Sequence, residues 1–520
     1  MAMNRGRWIY AGALALFGLV LVRNAWMADD AFITLRSIDQ FLRGQGLGFN
    51  FGERVQAYTH PLWLWVLMPA YSVSREAFYA PLLTSIAVSA AAIWVFSRRG
   101  VSPSGRVVSP EMGTAVVLCL LGSKAFMDYS TSGLENPLSH LLLALFFATP
   151  IQTTPIQANP TDPAPKPQLR RAILWASLLA VNRLDAILLV APSLLLGVRD
   201  SVRCGHTPRS LAVAAAWAAS PLLLWLGFSL VYYGTIVPNT AFAKLGAGVP
   251  SSVRLPQGFA YLAASFRFDL VTPLLIVGGL VAASIRRRPS QLPVATGVVL
   301  YLAYTVWIGG DFMLGRYLAA PLLCSLVALF RADLPRGVYA GMTAAAVVVS
   351  LLYPTAPLRT GSDFHNRDLD RIIENHGIAD ERAFYYQSNG LLSPQRDTPF
   401  TAGSACRGSD APLILRRGCS SLGIEGLRSC PGSHLVDSCA LSDPLLARLP
   451  AAPTPRWRVG HNIRPIPVGY LASLRHGVDA IEDPSIRELY ADVRQVVRGP
   501  VFTASRFRAI WRLHFHDYGI

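Results

Sequence analysis

The feature that most constrains this chain is a series of long apolar runs filling it as far as about residue 353, separated by loops in which arginine recurs. The runs lie near 8–22, 77–97, 111–128, 134–150, 172–197, 210–231, 269–285, 292–308, 316–330 and 337–353. About 20 apolar residues in a helix cross the hydrocarbon core of a bilayer. Composition agrees: 52% of the 520 residues are hydrophobic and 15% are charged, whereas soluble domains carry about 25% charged residues. A string of soluble globules is excluded, and so is a disordered chain, which needs low hydrophobicity. The reading is a polytopic α-helical membrane protein with a soluble appendage. Arg5 and Arg7 precede the first run and no small-residue cleavage site follows it, so it is read as a retained span rather than a signal peptide.

The net charge of +16 would suit a nucleic-acid partner, but its placement argues otherwise. Arg5 and Arg7, Arg98, Arg99 and Arg106, Lys166, Arg170 and Arg171, Arg199, Arg203 and Arg209, Arg286 to Arg288, and Arg331 and Arg336 fall in alternate loops. Basic residues beside spans mark the cytoplasmic side and need no polyanion. The run 172–197 has basic clusters at both ends and Asn182-Arg183-Leu184-Asp185 in its middle. Two short helices with an outward polar turn keep both clusters inside, although ten to twelve residues rise only about 15–18 Å each. The count is then eleven spans, with the N-terminus inside and the C-terminus outside.

From residue 354 the chain becomes polar: residues 354–520 hold 20 Arg and 17 Asp and Glu. We divide the chain into a membrane module, 1–353, and a soluble, loop-rich, mixed α/β domain, 354–520. That domain holds Cys406, Cys419, Cys430 and Cys439, with no CxxC pair for zinc. Two disulfides in an oxidising compartment fit this spacing, with three connectivities open. Cys119, Cys204 and Cys324 are expected to be inert, and Thr153 to Pro167 reads as an extended linker.

With this topology the unusual polar residues collect on the outer side. The first outer loop opens with Asp29-Asp30 and runs to Tyr58-Thr59-His60-Pro61. Its stretch 30–43 reads as an amphipathic helix on the membrane surface, and Pro61 as the first residue of another helix. Later outer loops supply Glu135, Arg183 with Asp185, Asn239 with Lys244, and Asp311 with Arg316. Ionisable groups at membrane depth are costly and suggest a site. Asp and Glu can act as general bases, and Arg and Lys hold phosphate. Tyr58, Trp63, Trp65 and Trp307 read as an interfacial aromatic belt. The chain has no P-loop or dinucleotide fingerprint. This combination suits group transfer from a lipid phosphate, delivered by the membrane itself.

Asp29-Asp30-Ala31-Phe32-Ile33-Thr34, Tyr58-Thr59-His60-Pro61-Leu62-Trp63, Pro238-Asn239-Thr240 to Lys244, and Gly309-Gly310-Asp311-Phe312-Met313 to Arg316 resemble motifs of the bacterial arabinofuranosyltransferases of the GT-C fold. The tail segment Val459-Gly460-His461 to Tyr470 resembles that family too. The resemblance implies an enzyme of the bacterial inner membrane with a periplasmic C-terminal domain. The donor would be polyprenyl-phosphoryl-D-arabinofuranose and the acceptor a glycan or surface protein. Asp29 and Asp30 would form the catalytic centre. Lys244, Arg316 and His60 would bind donor phosphate. Tyr58, Thr59, Glu135, Asn239, Asp311, Arg183 and Asp185 would contact substrate. No cofactor beyond the lipid-linked sugar is implied, the sequence requires no divalent metal, and membrane lipids, not nucleic acid, are the other partners. There are departures: Leu184 and Ala186 stand where the family has Pro and Gly, which weakens the paired-helix reading of 172–197, and Ala57 stands where Gly is expected. The alternatives are a transferase for another polyprenyl-phosphate-linked sugar, a transporter, or a non-catalytic assembly protein.

Overall fold

A computed structural model describes residues 2–151, 166–361, 376–395, 400, 402–404, 414–417, 422–452 and 459–520. The apolar part is a bundle of helices: α1 Ala2–Arg23, α2 Asp29–Leu42, α3 Pro61–Ser74, α4 Tyr79–Val95, α5 Pro110–Gly122, α6 Lys124–Asp128, α7 Asn136–Ala148, α8 Lys166–Asn182, α9 Ile187–Arg203, α10 Pro208–Ala218, α11 Ser220–Tyr233, α12 Asn239–Leu245, α13 Ser251–Phe268, α14 Val271–Arg286, α15 Leu292–Trp307, α16 Ala319–Phe330 and α17 Arg336–Leu352. Prolines start many of them because a first-turn N–H has no helical partner to lose; Pro61, Pro110 and Pro208 sit at this position.

Helix length qualifies the count of eleven spans. Among the described residues, Arg5–Arg23 and Tyr79–Gly100 are long and apolar enough to cross a membrane alone. The α10–α11 pair, bent by 60°, and the α13–α14 pair, bent by 113°, qualify only when each is taken together. The remaining apolar helices are shorter, from 10 to 17 residues. The predicted run 111–128 is broken at Ser123, whose Oγ accepts a hydrogen bond from Phe126 N at 3.1 Å and starts α6. Large apolar side chains such as Trp8, Leu19, Trp94, Leu195 and Leu224 face outward, which suits a lipid environment.

Segment 172–197 is a helical hairpin. The chain turns through a short 3₁₀ segment, Leu184–Ala186, without the Pro and Gly expected there. A Cβ on Gly197 of α9 would stand 2.3 Å from Ile151, so glycine lets the chain beyond α7 pass close to α9. Each helix has 17 residues, about 25 Å of rise. Both continue past the apolar run into the basic flanks, which removes the difficulty of reach.

Helix α2 departs from expectation. Ala31 to Gln40 are buried, so it is not a surface helix. The tail covers it: α19, Leu422–Arg428, lies across it. Gly423 permits this, since a Cβ there would meet the Asp29 carbonyl oxygen at 1.9 Å. Arg36 staples the layers. Its Nε donates to Phe49 O at 2.9 Å, its Nη2 to Ser433 O at 2.9 Å, and its Nη1 to Gly426 O.

The tail contains α18 Glu381–Asn389, α19, α20 Tyr470–His476, α21 Pro484–Arg498 and α22 Ala504–Phe515. Its strand content among the described residues is one parallel pair, β1 Ile414–Arg417 with β2 His434–Asp437, in register Ile414 with His434. A second core of Val436, Leu445, Tyr470, Leu489 and Val493 takes in Val55 and Ala243 from the helical part. Isolated bridges join Trp26 to Gly390 and Met313 to Ala379. The described parts of the tail thus pack against loops of the helical part. Cys119, Cys204 and Cys324 are free thiols, Cys204 exposed. Cys430 and Cys439 are each engaged in a disulfide, whereas Cys406 and Cys419, like the linker 153–165, lie outside the described residues.

Candidate active site

A cavity of about 550 Å³ opens where the loops at one end of the helix bundle meet the tail. Asp29, Asp30, Tyr58, Thr59, His60, Arg183, Asp185, Lys244 and Arg316 line it. Residues some 290 positions apart are gathered here because the polar ends of α2, α3, α8, α12 and α16 all point to one side of the bundle.

The adjacent acids have different surroundings. Asp29 accepts hydrogen bonds from Gly423 N (3.0 Å) and Ile424 N (2.9 Å) at the start of α19. Burial pushes its carboxyl up to about 7, although those two bonds oppose the shift. Asp30 keeps 27% of its side chain exposed, and its Oδ2 lies 3.9 Å from Arg316 Nη1. Its carboxyl is also raised, by burial first, against the lowering pull of Arg316 and Lys244. A carboxylate raised toward neutrality is a better proton acceptor than an ordinary one. Neither acid makes a side-chain cap for α2, whose N-cap is Ala28.

Beneath the cavity lies Glu135, fully buried. Its oxygens are 3.1 Å from His60 Nδ1, 2.8 Å from Arg183 Nη1 and 3.2 Å from Arg316 Nη2. Two arginines and a histidine thus surround one buried carboxylate. Glu135 does not line the cavity, so the expected substrate contact is replaced by the alignment of three residues that do. Asp311 is likewise buried and outside the lining; it sits 3.7 Å from Arg316 and 3.8 Å from Lys244. His60 also pairs through Nε2 with Thr34 Oγ1 at 2.7 Å.

Arg183 is clamped by Asp185 through two bonds of 2.9 and 2.8 Å and lies over the Tyr317 ring, 4.3 Å from its centre. Lys244 ends α12, with 28% of its side chain exposed and its ammonium 5.9 Å from the Phe312 ring centre. Two other expected contacts serve the framework. Asn239 donates to Ala440 O (2.9 Å), Leu441 O (3.2 Å) and Asp443 O (3.1 Å), tying α12 to the tail, and does not line the cavity. The Tyr58 hydroxyl reaches the cavity wall but is bonded to Tyr233 Oη at 2.6 Å, and Tyr233 donates on to Leu47 O. Of the expected aromatic belt, Trp65 and Trp307 are exposed, while Trp63 is fully buried and donates to Gly133 O at 2.8 Å.

No protein-family model matches the chain. It is 28% identical over 429 residues to the terminal beta-(1->2)-arabinofuranosyltransferase of Mycobacterium tuberculosis, covering 74% of this chain and 66% of that protein. It is 27% identical over 337 residues to the protein of that name from Corynebacterium glutamicum, covering 58% of this chain and 47% of that one. This chain is similar to arabinofuranosyltransferases. It spans just under two thirds of the first relative's length and about half of the second's. The crystal structure of ArnT from Cupriavidus metallidurans bound to undecaprenyl phosphate superposes with a TM-score of 0.49 at 12% identity, covering 82% of this chain and 85% of that one.

The tail adds residues to the cavity that the motifs of the helical part do not include. Glu381, Phe384 and Tyr385 of α18 line the cavity, as do Val459, Gly460 and His461. His461 packs edge-on against Phe312, ring centres 4.6 Å apart. Glu381 is set by its neighbours. Asp380 accepts from Ala383 N (3.1 Å) and pairs with Lys124 (3.1 Å), and Arg382 pairs with Asp128 (2.6 Å). The signal available for α18 was Asp380 three residues before Ala383, an N-cap pattern. Nothing in its composition marked it as facing a cavity. Among the described residues no cluster of three His, Cys, Asp or Glu side chains has the geometry to hold a metal ion.

Proposed function

We propose that this protein is an integral membrane glycosyltransferase that moves D-arabinofuranose from a polyprenyl-phosphoryl donor to an acceptor hydroxyl on the cavity side of the membrane. The observation that carries the reading is the pairing, in one cavity, of a raised, partly exposed carboxylate with two cations: Asp30, Arg316 and Lys244. The similarity to arabinofuranosyltransferases supports the sugar.

In this mechanism Asp30 takes the proton of the acceptor hydroxyl as its oxygen bonds to the anomeric carbon. The bond between that carbon and the phosphate oxygen breaks, and the polyprenyl phosphate leaves with one more negative charge. Arg316 and Lys244 meet that charge, where electrostatic stabilisation counts most. Glu135 and Asp311 keep the cations aligned. Asp29 holds the tail helix in place and so closes the cavity. Arg183, Asp185, Thr59 and His60 flank the sugar. The acceptor, a glycan or surface protein, enters from the side formed by α18 and Val459–His461, and membrane lipid delivers the donor. The cavity side is the periplasm of a bacterial inner membrane, with the N-terminus cytoplasmic; the alternating arginine clusters support this orientation. Two disulfides among Cys406, Cys419, Cys430 and Cys439 belong to the same reading.

The deciding experiment is transfer from synthetic polyprenyl-phosphoryl-D-arabinofuranose by purified protein in liposomes. Asp30→Asn is expected to slow transfer by about 10²–10⁴ while donor binding persists. Transfer at the normal rate by a folded Asp30→Asn protein would refute the mechanism. Transfer of a different polyprenyl-linked sugar in preference would keep the mechanism and replace the donor.

A further inference from the structure

The last helix has two faces. On one, Arg506, Ala509 and Ile510 are buried. Arg506 Nη1 donates to Val231 O (2.7 Å) and Nη2 to Tyr232 O (2.9 Å), two carbonyls in the last turn of α11, while its Nε donates to Val496 O (2.9 Å) of α21. The fit is close: a Cβ on Gly234, just beyond α11, would meet Val496 at 2.5 Å and Ile510 at 3.1 Å. On the other face Phe507, Trp511 and Phe515 recur at four-residue spacing and are exposed, Trp511 by 60% and Phe515 by 73%. Phe502, before the helix, is 80% exposed. Arg508 is exposed beside the stripe.

A stripe this apolar is costly in water, and its position names what covers it. α22 is bolted to the end of α11, and the apolar surface of the α10–α11 pair (Trp217, Leu224 and Phe228) is itself exposed. The aromatic stripe therefore continues the lipid-facing surface at the level where α11 ends and the chain turns into the cavity loop. Aromatic rings flanked by arginine are the composition of a helix lying in the headgroup region. We infer that α22 is an interfacial helix, seated by Phe507, Trp511 and Phe515 in the lipid headgroup layer on the cavity side, and that it anchors the tail to the membrane. The tail's position over the cavity is then fixed from two directions: by Asp29 and Arg36 at α19, and by lipid at α22.

The test uses full-length protein in phosphatidylethanolamine–phosphatidylglycerol liposomes and does not depend on sugar transfer. Phe507→Cys, Trp511→Cys and Phe515→Cys are made singly with Cys204→Ser, with Arg494→Cys on α21 as the water-facing control, and are spin-labelled. All four positions are exposed, so packing is preserved. The expected result is greater collision with oxygen than with an aqueous nickel chelate at 507, 511 and 515, and the reverse at 494. Nickel accessibility equal to the control at all three would overturn the inference. So would labels immobilised and shielded from both reagents with dipolar broadening between molecules, the result if a second copy of the chain covers the stripe.

Discussion

Asp29 and Asp30 show how one backbone step separates two duties. Asp30 faces the cavity, and its burial already penalises the charged form. Asp30→Asn is therefore expected to lower turnover by about 10²–10⁴ without loss of thermal stability, measured side by side in detergent. Glu135→Ala should do the opposite to the fold. It leaves Arg183 and Arg316 buried without their shared counter-ion, at a cost of about 3–5 kcal/mol, visible as a lower unfolding midpoint. Asp29 provides a pH test. Its folded carboxyl titrates at about 7, against an ordinary value of 3.8. The stabilisation tied to its proton is complete below the ordinary value and is lost as pH rises through 7. Asn at that position does not titrate. The melting temperature of the native protein minus that of Asp29→Asn should thus fall between pH 4 and 7 and level off above; a flat difference would contradict the burial assigned to Asp29.

At the scale of elements, the contact between α2 and α19 is the seam that closes the site. Gly423→Ala forces a methyl against the Asp29 carbonyl. Overpacking of this kind costs about 1–3 kcal/mol, and hydrogen exchange over residues 29–42 should accelerate. Gly432→Ala, where a Cβ meets nothing within 4 Å, serves as the neutral control. The seam was hard to read from sequence. The alternation in 29–42 is amphipathic, and periodicity shows that one face is apolar without showing what buries the other. Here Arg36 and Gln40, which look solvent-facing, are buried donors to tail carbonyls, Gln40 to Pro431 O at 2.8 Å. The hairpin at 182–186 was legible because Arg183 and Asp185 interrupt an apolar run, and a charge there needs a partner.

Across the whole molecule the alternating arginines make a testable map. Cys204, the exposed free thiol, lies between Arg203 and Arg209. In intact spheroplasts a permeant maleimide should label it and an impermeant one should not; labelling by both would invert the topology. The same logic explains what the sequence revealed of the site. Asp30, His60, Arg183, Lys244 and Arg316 stand out because each is an ionisable group beside apolar runs, where burial must be compensated. Glu381 and Tyr385 did not stand out, because one more acid or aromatic in a polar tail carries no such penalty; His461 was marked only as part of a tail segment, with nothing to show that it faces the cavity. Asn239 and Glu135 were expected to contact substrate, yet both bond within the framework, since a residue type does not reveal which way a buried side chain turns.

The cavity wall supplied by Glu381–Tyr385 and Val459–His461 also has a consequence in time. Chains fold from the N-terminus as they are made, so Asp30, Lys244 and Arg316 are inserted long before the residues that close over them. A ribosome-bound chain stopped anywhere before residue 461 holds an open cleft. On the proposed reaction, such a cleft leaves a glycosyl phosphate open to water. Premature stops in the tail before Val459 should therefore yield inserted but inactive protein, and the chain first becomes competent when its tail docks.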